Sequence, residues 1–494
     1  MKEFEIKRIG LTITILFSFF ISVAQDTQSF EAYKNKMQNE MAHYRDSLVN
    51  DYEAFRQKAN AEYARFMKDR WEAFGVTKAR PVPEIPEPIN PVHYRKDDDL
   101  SSTKLPLKTI TKLPQPKENP LKPADRPPVT LPQNLQKEHS FLYHNTPCVV
   151  RIENGMNVKI ESLTENDIAN AWEKMASADN GLLLSDCLNL RAKMNLCDWA
   201  YISMLKSLAS SFYGGKCNEA VLLQTYLLAQ SGYALRIANN GKILVLCMPF
   251  DGDIYGMRSV GIGGKWYYLL NDGKESGSIK VFDRAFSNNE KTASLRMNGL
   301  PKLKVELASS KIFTSERYPK LSFPIAVNRN MIAFLDTYPR CTWENYVWAG
   351  LSDDLKNALY PMLRKNIEGV GQIEAANRII NFVQTALDYK TDGQQFGGER
   401  SLFGDESFFY PYSDCEDRAI LFSIIVRDLL NLDVVLLQYP RHIATAVCFT
   451  EYAEGDYFNI DGKQYTICDP TYIGASIGMC MPDFKSVGAK IHKL

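Results

Sequence analysis

Thirteen of the chain's 24 prolines fall between Pro81 and Pro132. Proline has no backbone N–H and a fixed φ, so such a stretch supports neither a long helix nor a central strand. Charged residues are mixed in and large apolar ones are few, so residues 77–135 read as an extended linker without a core of its own. The linker divides the 494 residues into an N-terminal segment and a globular remainder.

The N-terminal segment opens with Lys2, Lys7 and Arg8, an apolar run from Ile9 to Val23, and the small residues Ser22-Val23-Ala24. This is the pattern of a signal peptide over residues 1–24, and it predicts an exported protein, periplasmic or extracellular. The run is shorter than the roughly 20 residues that span a bilayer, so no integral membrane span is expected after cleavage. In residues 25–76 one stripe recurs at 30, 33, 37, 41, 44, 48, 52, 55, 59, 63 and 66, with larger side chains at all of these but Ala59. An eleven-residue period keeps one stripe on a nearly straight helix. Such a helix either lies on its own protein or self-associates as a coiled-coil stalk. Fifty-eight acidic residues balance 58 basic ones, which gives no electrostatic preference for nucleic acid.

After residue 136 the composition becomes globular. Helical runs at 199–212 and 219–231 precede strand-like KILVLCM and KWYYLL, and the order returns with helices at 373–387 and 417–430 before VVLLQY, HIATAVCF and KQYTICD. Helices followed by strands predict an α+β fold, with helices packed on an antiparallel sheet. The recurrence predicts two copies, over 136–305 and 306–494.

In YPYSDCEDRAILF, Ser413 or Asp414 can cap the helix and place Cys415 in its first turn, where unpaired N–H groups favour a thiolate. Among ten cysteines in an exported chain, a disulfide or a packing role is the competing reading. His442 opens the strand HIATAVCF and Asp469 closes KQYTICD. In an antiparallel pair these two ends lie side by side, and Ala444 and Ala446 on the face of His442 leave room for the helix end. A thiol, an imidazole to take its proton and a carboxylate to orient the imidazole are the parts of an activated nucleophile.

DCEDRAILF, RHIATAV and CDPTY, in that order, resemble the Cys, His and Asp motifs of the transglutaminase-like superfamily, over roughly residues 370–480. The resemblance implies a papain-like core with Cys415 as nucleophile, His442 as general base and acid, and Asp469 as orienting carboxylate. It implies a protein or peptide substrate, attack on an amide or peptide bond, a thioester intermediate and no cofactor. The superfamily's tryptophan after the histidine is replaced here by Ile443 and Ala444, which weighs for hydrolysis over crosslinking. A binding or assembly protein that uses the domains as scaffold is the opposing class. The N–H of Cys415 is one oxyanion donor, with Gln395, Gln394 or Tyr410 as candidates for a second. No EF-hand spacing occurs, and no metal ligands are assigned. Cys448 and Cys468 read as core residues, and Cys480 has no assigned role.

Laying YGMRSV (255–260) over HIATAV and GGKWYYLLND (263–272) over DGKQYTICDP puts Tyr255 in the place of His442 and Asn271 in that of Asp469. Cys217 then precedes EAVLL as Cys415 precedes DRAIL. Without a base, Cys217 is not activated by this chemistry.

Overall fold

In the computed structural model the apolar run after Cys415 forms the helix Cys415–Leu430, buried on every side from Cys415 to Val426. It stops where Asn431 turns left-handed at φ 52°, a conformation asparagine tolerates. A stretch that is apolar on nearly every side, as Ala419 to Val426 is, must be enclosed. It is flanked by the helices Trp343–Ala349, Gln372–Ala386 and Gly404–Phe409 and by the strands Asp433–Tyr439 and His442–Cys448.

The described residues are 54, 56–83, 91–95, 100–111, 137–178, 181–271, 277–287 and 289–494. The expected signal peptide, most of the eleven-residue repeat and the linker segments 84–90, 96–99 and 112–136 lie outside them. Two units divide the chain, residues 1–62 with 125–131 and residues 63–124 with 132–494. Of the first, residues 54 and 56–62 are described and helical. The second carries everything below. No described helix is long and apolar enough to cross a membrane.

The second unit is mixed α+β with two six-stranded sheets. One runs Tyr457–Ile460, Lys463–Cys468, His442–Cys448, Asp433–Tyr439, Ala489–Lys493 and Leu107–Thr111. The other runs Ser259–Ile262, Lys265–Leu269, Leu244–Met248, Arg236–Asn239, Ser278–Phe282 and Glu72–Gly75. Counted by chain order, their first five strands follow one sequence of neighbours. The sixth differs, since Leu107–Thr111 pairs parallel and Glu72–Gly75 antiparallel.

Two boundaries drawn from the sequence need correction. The segment 77–135 is not a plain linker: Val92–His93 pairs with Tyr472–Ile473, and Leu107–Thr111 forms a sheet edge. Prolines flank these short strands rather than interrupt a central one, which is where an edge tolerates them. The break at 305/306 does not separate two cores either. One cluster joins Tyr63, Trp172, Leu246, Phe323 and Tyr346 with Phe422 and Ile443, and the rings of Trp199 and Tyr338 meet across the break with centroids 6.2 Å apart.

Asp405, in Gly404–Phe409, is fully buried and accepts hydrogen bonds from the Ser352 N–H, at 2.9 Å, and the Ser352 hydroxyl. Burial pushes its carboxyl up from 3.8 to about 6 against those bonds. An acid raised in the folded state holds its proton more tightly there. Its contribution to stability is therefore full below about pH 4 and is lost as pH rises through about 6. The unfolding free energy of wild type relative to Asp405→Asn should fall by roughly 2–3 kcal/mol between pH 4 and 7. Urea melts of both proteins at four pH values test this, and a flat difference would refute it.

Candidate functional site

Strand pairing sets the site. His442–Cys448 runs antiparallel to Lys463–Cys468 with Thr445 opposite Cys468 and Ala446 opposite Ile467. Asp469 follows directly, and its Oδ2 lies 2.8 Å from Nε2 of His442. Its Oδ1 accepts from the N–H groups of Thr471, at 2.9 Å, and Tyr472, at 3.2 Å. Both side chains are buried, and Nδ1 of His442 has no hydrogen-bond partner. With Asp469 bonded to one ring nitrogen, the other is left to exchange a proton. The strands are not a simple hairpin as drawn from the sequence, because Tyr457–Ile460 intervenes and pairs on the far side of Lys463–Cys468.

The alanines do not make room for the helix. Ile443 and Val447 pack with Cys415 and Phe422 in one core, whereas Ala444 and Ala446 pack with Tyr439, Ile467 and Phe484 in another. The His442 ring stacks on Phe484, centroids 5.2 Å apart and planes 12° apart. Cys415 meets the strand at its start, where the Ile443 N–H bonds its sulfur. Its thiol points to the Glu416 carboxylate, 3.3 Å away, and not to the imidazole.

Cys415 is a free thiol and only 1% exposed. Burial first, and then Asp414 and Asp417, push it well above the ordinary thiol value, against the Ile443 N–H and Glu416. The helix N-terminus alone favours a thiolate, but burial and then the carboxylates around it outweigh that here. Asp414 occupies the N-cap position, and Asp417 accepts from its N–H at 3.2 Å. Asp392 comes from the short helix Asp392–Gln395 to join them.

Gln395 is not poised as an oxyanion donor. Its Nε2 donates to the Tyr412 carbonyl at 3.1 Å while its Oε1 accepts from the Tyr412 N–H at 3.2 Å, so the amide clamps the backbone ahead of Cys415. The Tyr410 hydroxyl accepts from Arg400 at 3.2 Å, and Gln394 is exposed. Cys468 packs in the core with Cys415, Cys448 borders the other, and Cys480 is buried in that second core.

In the sheet that contains Leu244–Met248 and Lys265–Leu269 the register corrects the placement of Tyr255. Asn240 and Ile243 flank a two-residue turn as Tyr439 and His442 do, and Cys247 lies opposite Leu269 as Ala446 lies opposite Ile467. Counting back, Ile243 stands where His442 stands, and Tyr255 belongs to the following connection, bridged to Arg340. Asn271 does match Asp469 in position, but its amide bonds the backbone of Leu244 and Leu246, both at 2.8 Å. Cys217 is an N-cap residue without a side-chain cap bond.

Sequence reasoning missed Arg418, 1% exposed, which donates to the carbonyls of Gln384, at 3.2 Å, and Leu387, at 2.5 Å. A charged residue inside an otherwise apolar helix was the available signal. Phe484 closes the short 3-10 helix Pro482–Phe484 after the recognised motifs and carried none. No protein-family model, curated protein or solved structure matches this chain.

Proposed function

We propose that this chain is an exported, transglutaminase-like cysteine hydrolase with a papain-like site, acting on amide or peptide bonds. One observation carries the reading: Asp469 holds Nε2 of His442 and leaves Nδ1 without a partner, next to the strand residue whose N–H bonds the sulfur of Cys415. In the reaction the thiol leaves Glu416 and gives its proton to Nδ1, and the sulfur attacks the carbonyl carbon. The tetrahedral oxyanion takes the Cys415 N–H as one donor. Collapse expels the amine, which receives the proton from Nδ1, and leaves a thioester. Water, deprotonated by Nδ1, then releases the acid and restores the thiol.

The opposing reading, a binding or assembly scaffold, is favoured by the burial of Cys415 among carboxylates. An activated ester, p-nitrophenyl acetate, separates the two when followed by intact-protein and peptide mass spectrometry on the full chain. The hydrolase reading expects an acetyl adduct on Cys415, none at that position in Cys415→Ala, and acylation slowed by about 10²-fold or more in His442→Ala. An adduct that forms equally fast without His442, or only after unfolding, would overturn it in favour of the scaffold.

A further inference from the structure

The last turn of Cys415–Leu430, at the far end from Cys415, carries Arg427. Arg296 comes from the chain that follows Ser278–Phe282, and its guanidinium lies over the ring of Trp348, 4.4 Å from the centroid. Trp348 sits on Trp343–Ala349, the helix that packs against Cys415–Leu430. Arg427 stands close enough to Arg296 for the two charges to act on each other. Three separate segments thus bring two guanidiniums and one indole together.

Neither guanidinium is paired within the described residues. Nε of Arg296 is buried without a hydrogen-bond partner, and no hydrogen bond or ion pair holds the Arg427 side chain. The carboxylates near Arg427 are Asp428 and Asp433. Asp428 is engaged by the Tyr360 hydroxyl at 2.6 Å and by Lys356 at 3.1 Å, and Asp433 by Lys463 at 3.4 Å. Burial lowers the Arg427 guanidinium from its ordinary value, Asp428 opposes that, and Arg296 lowers it further. Arginine keeps its charge at neutral pH, so the pair is a half-buried double positive charge. The backbone under Arg296 is fixed, since the Leu295 carbonyl accepts the Tyr338 hydroxyl and the Arg296 N–H donates to the Ser294 hydroxyl at 3.1 Å. The indole holds the guanidinium in place. Donors held this way and left unspent are preorganised for an anionic acceptor.

We infer that Arg296, Arg427 and Trp348 form a binding site for a phosphate group. The planar fork of a guanidinium fits two phosphate oxygens at once. Two such cations match a dianion, whereas a carboxylate would neutralise only one of them. Bound there, the phosphate ties the segment of Arg296 to the two helices. The site lies at the opposite end of the helix from Cys415 and does not rest on the thiol chemistry.

The test uses the full chain exchanged into phosphate-free buffer. Calorimetry with inorganic phosphate should give one site per chain with a Kd below about 1 mM. Tm should rise by about 3 °C at phosphate about one hundredfold above Kd. Arg296→Gln and Arg427→Gln should each weaken binding by roughly tenfold or more, while the exposed Lys320→Gln leaves it unchanged. Phenyl phosphate is the second arm, because a free ion and a phosphate ester offer the same oxygens. Tighter binding of the ester assigns the group to a larger molecule, and any other order assigns it to free phosphate. On the wild-type chain, phosphate should protect both Arg296 and Arg427 from phenylglyoxal, read by peptide mass spectrometry, which locates the site even where a variant does not fold. The inference fails if phosphate neither binds nor raises Tm, or if either glutamine variant binds it as wild type does. It fails equally if either arginine is left unprotected, or if acetate binds as tightly as phosphate.

Discussion

Asp469→Ala is expected to lower the unfolding free energy by about 3–5 kcal/mol, the loss typical when one member of a buried pair is removed. The aspartate meets three donors at once: Nε2 of His442 at 2.8 Å and the N–H groups of Thr471 and Tyr472. Alanine leaves all three in a site where the imidazole is fully buried, so water does not replace them cheaply. Asp469→Asn should separate stability from chemistry. Its Oδ1 still accepts the two backbone bonds, so the cost in stability should stay near 1 kcal/mol. Its amide facing Nε2 donates, which drives the imidazole proton to Nδ1 and removes the acceptor on which the proposed proton transfer from Cys415 depends. Urea denaturation of the three proteins gives the comparison. An alanine variant within 1 kcal/mol of wild type would mean that the pair contributes little to the fold.

The His442–Asp469 neighbourhood was legible because it needs only two inferences, strand phase and antiparallel pairing, both written in alternating apolar residues over a short span. The helix after Asp414 was legible for the same kind of reason, since its apolar run and acidic first turn are local. The carboxylate cluster was not. Asp392 and Glu399 precede Cys415 by many residues and sit in a loop without periodicity, so only the folded chain brings them to the helix end. Glu416 and Asp417 were visible, but they read as ordinary helix-stabilising acids.

The face occupied by His442 was misjudged for a definite physical reason. Alternation gives which residues share a face, and His442, Ala444 and Ala446 do share one, but it does not say which face meets the helix. Small residues suggested space for Cys415. Instead they admit Phe484 and its neighbours from the chain beyond Asp469. In the sheet that contains Ser259–Ile262, matching identities slid the alignment by a whole strand. Ser259–Ile262 corresponds to Tyr457–Ile460, which the sequence reading had passed over.

Arg418→Leu should cost about 3–5 kcal/mol and shift the site as a unit. Burial lowers the guanidinium to about 10 while Tyr389, Asp414 and Asp417 oppose that fall, so it remains charged at neutral pH. Leucine orphans the carbonyls of Gln384 and Leu387 and removes the cation that faces Asp414 and Asp417. The effect reaches Asp469 because the Gln384 side-chain amide donates to the carbonyls of Asp469, at 3.1 Å, and Tyr472, at 2.7 Å. Arg418 and Gln384 thus connect the cysteine helix to the turn that presents the carboxylate to His442. Arg418→Lys should recover only part of the loss, since an ammonium lacks the planar fork that reaches Ser413, Gln384 and Leu387 together. Equal stability of the leucine variant and wild type would mean that the neighbouring acids are neutral in the folded protein, and that the arginine is held by its backbone bonds alone.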